Sequence, residues 1–213
     1  MGRRNRNRKP ARPSPFRDAK KRILLVCEGV VTEVEYIDFF LKRLRSRLVF
    51  IETVGLGADP KTVVAKAKRM RDENRDDAKK ADDKNVLFDE VWCAFDRDDH
   101  PTWDAAVQMA KANTLELAAS NPSVELWLLL HFRQNPGMRD RKAIAKMLSD
   151  HLSNYNKHLE FDALWPMWQD AADRAERMDD DAIQAEEAHR NPTTGFYRLV
   201  RSIYNSCTDQ STG

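Results

Sequence analysis

The amino-acid sequence predicts an α/β fold in which helices flank a parallel β-sheet, with a C-terminal helical extension. Over residues 22–138, short apolar segments alternate with amphipathic helical segments, which is typical of parallel strands joined by crossover helices. Past residue 138 the periodicity is helical throughout. We therefore divide the chain into a disordered basic arm (1–21), an α/β domain (22–138) and a helical extension (139–213).

Four apolar segments are predicted to form the strands of the sheet. The first, at 23–27, is Ile-Leu-Leu-Val-Cys without a charged side chain, as expected of a strand covered on both faces. The others are expected at 48–54, 91–95 and 115–119.

Helix-start signals follow these strands. Thr32 and Glu35 have the spacing of a capping box, which predicts a helix from Thr32 through Leu44. Asp59-Pro60 combines an N-cap with proline at the first helical position and predicts a helix to about residue 81. Further helices are expected after Pro101, after Asn121-Pro122 as far as Phe132, and at about 140–152, 161–188 and 192–205, the last after a cap at Asn191.

The charge of the chain is unevenly distributed. Its net charge is only +2, yet residues 1–22 carry ten Lys or Arg and a single acid. A basic arm on an acidic body indicates contact with nucleic-acid phosphates, with a solubilising tail as the alternative. We assign this contact to four arginines of the arm: Arg3, Arg4, Arg6 and Arg8.

Several classes of protein are not indicated. No apolar run approaches the roughly 20 residues that cross a bilayer, and no signal-peptide pattern follows the basic start. The three cysteines form no CxxC pair, so neither a disulfide framework nor a cysteine-rich zinc site is expected. No GxxxxGK[ST] motif for a P-loop ATPase occurs. These observations favour a cytoplasmic protein without membrane contact.

Carboxylates follow three of the predicted strands. Glu28 ends the first, Asp96 and Asp98 end the third, and Glu125 comes soon after the fourth. Parallel strands end at one edge of the sheet, where ligands of open α/β sheets bind. Because clustered carboxylates repel one another, a hard divalent cation, Mg²⁺ or Mn²⁺, is expected among them. Glu33, in the first turn of the next helix, either reaches a second ion or is simply a favourable helix-start residue.

Other polar and aromatic residues have simpler interpretations. Most of the five tryptophans are expected in the core, and His131 is expected to be a buried hydrogen-bonding residue. The three consecutive acids at 179–181 are expected at the surface, since they cannot share one helical face. Arg97 and His100, beside the acidic cluster, are assigned to nucleic-acid contact.

Taken together, the motifs resemble the RloB family, which is associated with restriction-modification and abortive-infection loci and is placed among the TOPRIM proteins. The resemblance covers about residues 20–205. It is carried by Leu25-Val26-Cys27-Glu28-Gly29 with Thr32-Glu33, by Phe95-Asp96-Arg97-Asp98-Asp99-His100, by Ser120-Asn121-Pro122-Ser123-Val124-Glu125 with the apolar helix to Phe132, and by Asn191-Pro192-Thr193-Thr194.

The resemblance implies a TOPRIM-like fold and roles for individual residues. TOPRIM nucleases use a first-strand glutamate near the scissile phosphate and a DxD as metal ligand, which are Glu28, Asp96 and Asp98 here. The related OLD-type nucleases add a second glutamate, a Ser/Glu pair and a lysine. The matching candidates are Glu33, Ser120 with Glu125, and Lys157.

By the same resemblance, the chain is expected to be a Mg²⁺- or Mn²⁺-dependent nuclease acting on RNA, including tRNA, or on DNA. It would be the effector of an anti-phage defence system, with an AAA- or ABC-type ATPase partner and a tendency to form homo-oligomers. Two alternatives stay open. One is another Mg²⁺-dependent enzyme, such as a phosphotransfer domain or a DxD nucleotide-sugar transferase; the other is a non-catalytic nucleic-acid-binding or scaffold subunit.

Overall fold

The structure is a computed structural model that describes residues 20–45, 49–97, 100–152 and 161–208. The arginines of the basic arm, Asp98 and Lys157 lie outside the described residues. The predictions made for them are therefore neither confirmed nor contradicted.

A four-stranded sheet forms the centre of the fold. Its strands are β1 (Lys21–Cys27), β2 (Val49–Gly55), β3 (Glu90–Ala94) and β4 (Glu116–Leu117). Their order is β2-β1-β3-β4, and every neighbouring pair is parallel. The predicted parallel α/β sheet is confirmed, with the last strand shorter than expected.

The helices follow the predicted order, and two short strands that were not predicted lie among them. In chain order, these elements are α1 (Thr32–Leu44), α2 (Pro60–Ala81), α3 (Trp103–Ala112), β5 (Ser120–Asn121), α4 (Glu125–Leu129), α5 (Arg141–Ser149), α6 (Phe161–Leu164), α7 (Trp168–Gln184), β6 (Thr193–Thr194) and α8 (Phe196–Thr208). Single 3₁₀ turns occur at Lys84–Val86 and Trp165–Met167. None of the helices in the described part of the chain has the length and apolarity needed to cross a bilayer.

Both faces of the sheet are covered. Side chains alternate along β1, so Leu24 and Val26 pack with α2 and α3, while Ile23, Leu25 and Cys27 pack on the opposite face. That second core also contains buried residues of α1, α4, α5, α7 and α8. The C-terminal helices therefore share a hydrophobic core with the sheet.

The helices α1 and α2 are capped differently at their N-termini. Asp59 caps α2 as predicted, because its side chain accepts hydrogen bonds from the backbone nitrogens of Lys61 and Thr62. The predicted capping box at Thr32 and Glu35 is wrong: the N-cap of α1 is Val31, without a side-chain hydrogen bond. The side chain that contacts the preceding loop is that of Glu33, whose Oε1 accepts a hydrogen bond from the backbone nitrogen of Gly29 at 3.2 Å.

The two Asn-Pro sequences do not start helices, contrary to prediction. Both peptide bonds are cis. Residues Ser120–Asn121 form β5, which pairs antiparallel with Thr193–Thr194 of β6. This pairing takes the backbone out of helical geometry, so the helices that follow begin only at Glu125 and Phe196.

Several residues assigned to the interior lie there. Four tryptophans are buried: Trp92, Trp103, Trp127 and Trp168. His131 is buried and bonds to the Tyr36 hydroxyl and the Trp127 carbonyl, as predicted. Of the three acids at 179–181, however, Asp179 is buried, so the surface assignment is wrong for that residue.

Candidate functional site

Glu28 is fixed at the point where β1 ends. Its backbone nitrogen donates to Ala94 O of β3 at 2.8 Å, and its carbonyl accepts from the Gly57 nitrogen after β2 at 2.8 Å. The carboxylate continues the link to β3: Oε2 accepts a hydrogen bond of 3.1 Å from the Asp96 nitrogen. On its other side, Oε1 lies 3.3 Å from Nε2 of His100.

Asp96 follows β3 and is buried. Its backbone forms a parallel bridge with Ser120, and its Oδ1 accepts a hydrogen bond of 2.9 Å from the Val124 nitrogen. The carboxylate therefore reaches the loop that carries Glu125. Ser120 itself, a candidate by resemblance, bonds through its hydroxyl to Thr194 Oγ1 at 2.8 Å and serves the β5–β6 pair.

Glu33 and Glu125 supply two further buried acids, each from the first turn of a helix. The carboxylate of Glu33 lies directly over Gly29. A Cβ atom added to Gly29 would be 2.2 Å from Glu33 Oε2, closer than any side chain tolerates. Glycine at this position therefore makes room for the Glu33 carboxylate.

These four acids line one cleft of about 200 Å³ at the carboxyl edge of the sheet. The structure thus brings together Glu28, Asp96 and Glu125, which the sequence predicted at this edge, and adds Glu33, for which the sequence left two interpretations open. The apolar residues Val30, Val31 and Val124 line the same cleft, and Val30 and Val31 are exposed.

The cleft holds more negative charge than its surroundings balance. Burial, with the nearby Glu33 and Glu125, raises the pKa of Asp96 well above its usual value, although Arg141 acts in the opposite direction. Burial is also the main cause of the raised pKa of Glu33, and Glu125 and Glu28 add to it. A bound cation would offset the repulsion that contributes to both shifts.

Arg141 is a cleft residue that sequence reasoning missed. Its Nη2 lies 3.9 Å from Asp96 Oδ2 and 3.8 Å from Glu125 Oε1. It occupies the first position of α5, after Asp140, whose side chain caps that helix through the Ala143 nitrogen. Its proximity to the acids depends on how α5 packs against α4, for which the sequence contains no signal.

Arg97 is turned to a different neighbour. Its Nη1 donates to the His189 carbonyl at 3.2 Å, and its guanidinium lies 5.7 Å from the centre of the Trp103 ring. It is not among the residues that line the cleft. His100 does reach the site, through Glu28.

The donor chemistry of the cleft suits a hard divalent cation, because carboxylate oxygens are the ligands that Mg²⁺ and Mn²⁺ prefer. Across 20–45, 49–97, 100–152 and 161–208, however, no three His, Cys, Asp or Glu side chains are already arranged to hold one ion. The Asp98 carboxylate, the second acid of the DxD, lies outside these ranges.

The comparison with protein families gives a match. Residues 23–203 match the family described as RloB-like protein, a span that includes all four acids of the cleft and Arg141. No curated protein and no solved structure gives a match. The resemblance seen in the motifs is confirmed, and the chain belongs to the RloB-like protein family.

Proposed function

We propose that this protein is a metal-dependent nuclease of the TOPRIM type that hydrolyses phosphodiester bonds in RNA, including tRNA, or in DNA. One observation carries the proposal: Glu28, Glu33, Asp96 and Glu125, distant in sequence, line one cleft at the carboxyl edge of a parallel sheet. Burial raises the pKa of Asp96 and of Glu33, and repulsion from nearby acids adds to both shifts. A bound cation relieves that repulsion.

The cation is proposed to be Mg²⁺ or Mn²⁺, held by acids of the cleft together with Asp98. When bound, it would polarise the phosphate and lower the pKa of a water molecule. Both effects are those that phosphodiester hydrolysis needs.

The chain's own residues supply positioning and charge. Glu28 is held by the Asp96 nitrogen and by His100 and is less buried than the other acids, so it is the acid best placed to accept a proton from an attacking water. Arg141 brings positive charge to the cleft, where it can offset the charge that develops on a phosphate. Asp96 and Glu33 are more deeply buried than Glu28 and serve as ligands.

A second candidate function is non-catalytic nucleic-acid binding within a larger assembly. It is favoured by the lack, among the described residues, of three ligands already arranged around one point. Under this hypothesis the cleft binds phosphate or a cation without cleaving the chain.

The biological role is proposed from the family resemblance. We infer an effector of anti-phage defence that works in the cytoplasm with an AAA- or ABC-type ATPase partner and forms homo-oligomers. Co-purification from the native host, followed by identification of the bound proteins, tests the partner directly.

Cleavage assays on double-stranded DNA, mRNA and tRNA, with Mg²⁺, Mn²⁺ or EDTA, test the activity. Glu28→Gln and Asp96→Asn are expected to lower cleavage by about 100-fold or more, whereas Glu116→Gln, an exposed acid of β4, should leave it unchanged. Cleavage that persists in EDTA or in both site variants contradicts the proposal. Binding of nucleic acid by all variants without cleavage supports the non-catalytic alternative.

A further inference from the structure

The guanidinium of Arg141 lies beside two acids of the cleft. One nitrogen, Nη2, is 3.8 Å from Glu125 and 3.9 Å from Asp96. Both distances exceed that of a hydrogen bond, so these two contacts are electrostatic. The Arg141 side chain is 48% exposed, against 9% for Asp96 and 11% for Glu125. Its charged end therefore lies between buried acids and solvent.

The backbone around Arg141 is anchored on both sides. The Asn191 side chain accepts from the Arg139 nitrogen at 3.3 Å and donates to the Arg139 carbonyl at 2.7 Å. On the other side, Asp140 caps α5, and Ile144 of that helix is fully buried. The position of the Cα atom is thus fixed, so a change of partner by Arg141 would need only rotation about the bonds of its side chain.

A divalent cation and this guanidinium cannot share the acids without a cost. Like charges only a few ångströms apart repel strongly in a partly buried site, where water screens them little. If the acids bind a divalent cation, Arg141 must therefore turn towards the open side of the cleft. On that side its planar fork matches the geometry of a phosphate, which it can bind with two hydrogen bonds.

We propose that Arg141 has two alternating partners: it is the counter-ion of Asp96 and Glu125 when the divalent cation is absent, and it binds the scissile phosphate when the cation is present. Cation binding would then release the residue that substrate binding needs. The phosphate-binding half of this inference rests on the proposed function. The counter-ion half rests only on the contacts of Arg141 with the two acids.

Mn²⁺ binding to the full-length protein, measured by electron paramagnetic resonance of the free ion, tests the counter-ion half without any cleavage. Arg141→Gln removes the competing charge and is expected to bind Mn²⁺ about tenfold more tightly than the wild type. Lys142→Gln makes the same change of net charge at the next, exposed position and should change the affinity less than about twofold, because solvent screens it.

Arg141→Lys separates charge from geometry. The ammonium group keeps the positive charge, so Mn²⁺ affinity should stay close to that of the wild type. Cleavage at saturating Mn²⁺ should nevertheless fall about 100-fold in both Arg141→Lys and Arg141→Gln, because neither side chain forms the two-bond phosphate contact. Thermal unfolding of each variant checks that the fold is retained.

The outcomes are distinguishable from those of the nuclease proposal. If Arg141→Gln binds Mn²⁺ as weakly as the wild type or more weakly, or if the wild type binds no Mn²⁺, the counter-ion role is wrong. If Mn²⁺ affinity rises as expected but the wild type cleaves no nucleic acid, the counter-ion role stands and the proposed function is wrong. Full cleavage by Arg141→Lys and Arg141→Gln would overturn the phosphate contact alone.

Discussion

Glu28 and Asp96 are joined across the sheet edge by a hydrogen bond of 3.1 Å, from the Asp96 backbone nitrogen to Oε2 of Glu28. The carboxylate of the first motif is therefore oriented by the main chain of the second, 68 residues later. Because the bond uses the backbone of Asp96, its side chain can be changed without loss of this contact. The charge of each acid can thus be tested separately.

Asp96→Asn is expected to stabilise the protein in metal-free buffer. The amide oxygen can still accept the hydrogen bond from Val124, while the buried charge is removed. We expect a rise in Tm of about 3 °C at pH 8. In a chain of this length, that rise corresponds to an increase of roughly 1 kcal/mol in the free energy of unfolding. Differential scanning calorimetry in EDTA measures it.

The pH dependence of this effect has a definite sign. The folded-state pKa of Asp96 is raised, so its stabilising contribution is complete below the unfolded-state pKa of about 4 and is lost as pH rises towards the folded-state value. The advantage of Asp96→Asn over the wild type should therefore grow from pH 5 to pH 8. An advantage that shrinks over this range contradicts the assignment of Asp96 as a repelled buried acid.

Gly29→Ala is expected to displace the Glu33 carboxylate without unfolding the protein. The new methyl group would overlap Oε1 and Oε2 of Glu33, which are the end of a flexible side chain and can move. If Glu33 is a cation ligand, Mn²⁺ affinity should fall about tenfold. This is the smallest loss of affinity that usually follows when the groups around a metal site are disturbed.

A double-mutant cycle with Glu33→Gln provides the control for this substitution. In a Glu33→Gln background, adding Gly29→Ala should cause no further loss of Mn²⁺ affinity. Additive losses would mean that Gly29 acts on the site by a route other than Glu33.

His131 should make the protein sensitive to mild acid. Burial lowers its pKa from 6.5 to about 4, and the neutral ring accepts from the Tyr36 hydroxyl while it donates to the Trp127 carbonyl. Its contribution is complete above pH 6.5 and is lost as pH falls towards 4, by an amount on the order of 3 kcal/mol. Urea unfolding at intervals of half a pH unit measures this loss.

The matched variant for His131 is the double substitution His131→Leu/Tyr36→Phe, which removes both polar partners together. Its free energy of unfolding should vary less between pH 6.5 and pH 4.5 than that of the wild type. An equal slope in the two proteins would assign the acid sensitivity to other groups.

Substitutions at the neighbouring residues Asp179 and Asp180 are expected to differ in their effect on stability. Asp179 is buried against Arg198, and the Tyr197 hydroxyl donates to it at 3.1 Å. Asp179→Ala should lower the free energy of unfolding by about 2 kcal/mol, less than for a fully buried pair because Arg198 is 37% exposed. Asp180→Ala, at the exposed position, should change it by less than about 0.5 kcal/mol. Equal Tm values for the two variants would contradict a structural role for Asp179.

The features predicted correctly from the sequence are those set by local pattern. The apolar run at 23–27 and the proline-marked start of α2 are properties of neighbouring residues, and both have their predicted structure. Glu28 and Asp96 could be placed together because parallel strands end at the same edge of the sheet. No knowledge of side-chain packing was needed for that step.

The features that were missed depend on contacts distant in sequence. Asn121-Pro122 has a helix-start pattern, but pairing with Thr193–Thr194 makes it a strand. The sequence around Asp179 does not indicate that this acid is buried, because its partner Arg198 lies elsewhere in the chain. Arg141 enters the cleft only because α5 packs on α4. In each case the partner lies at least 12 residues away in the chain, too far for the local periodicity of the sequence to indicate it.

The antiparallel pairing of β5 with β6 has a practical consequence for anyone who shortens this polypeptide. A fragment that stops near residue 138 would keep every strand of the central sheet and all four cleft acids, yet it would lose Thr194, the partner of Ser120, and Arg141, the cation beside Asp96 and Glu125. Such a truncation would also strip the apolar cover from one face of the sheet. We therefore expect the truncated protein to aggregate on expression and not to be a minimal functional fragment.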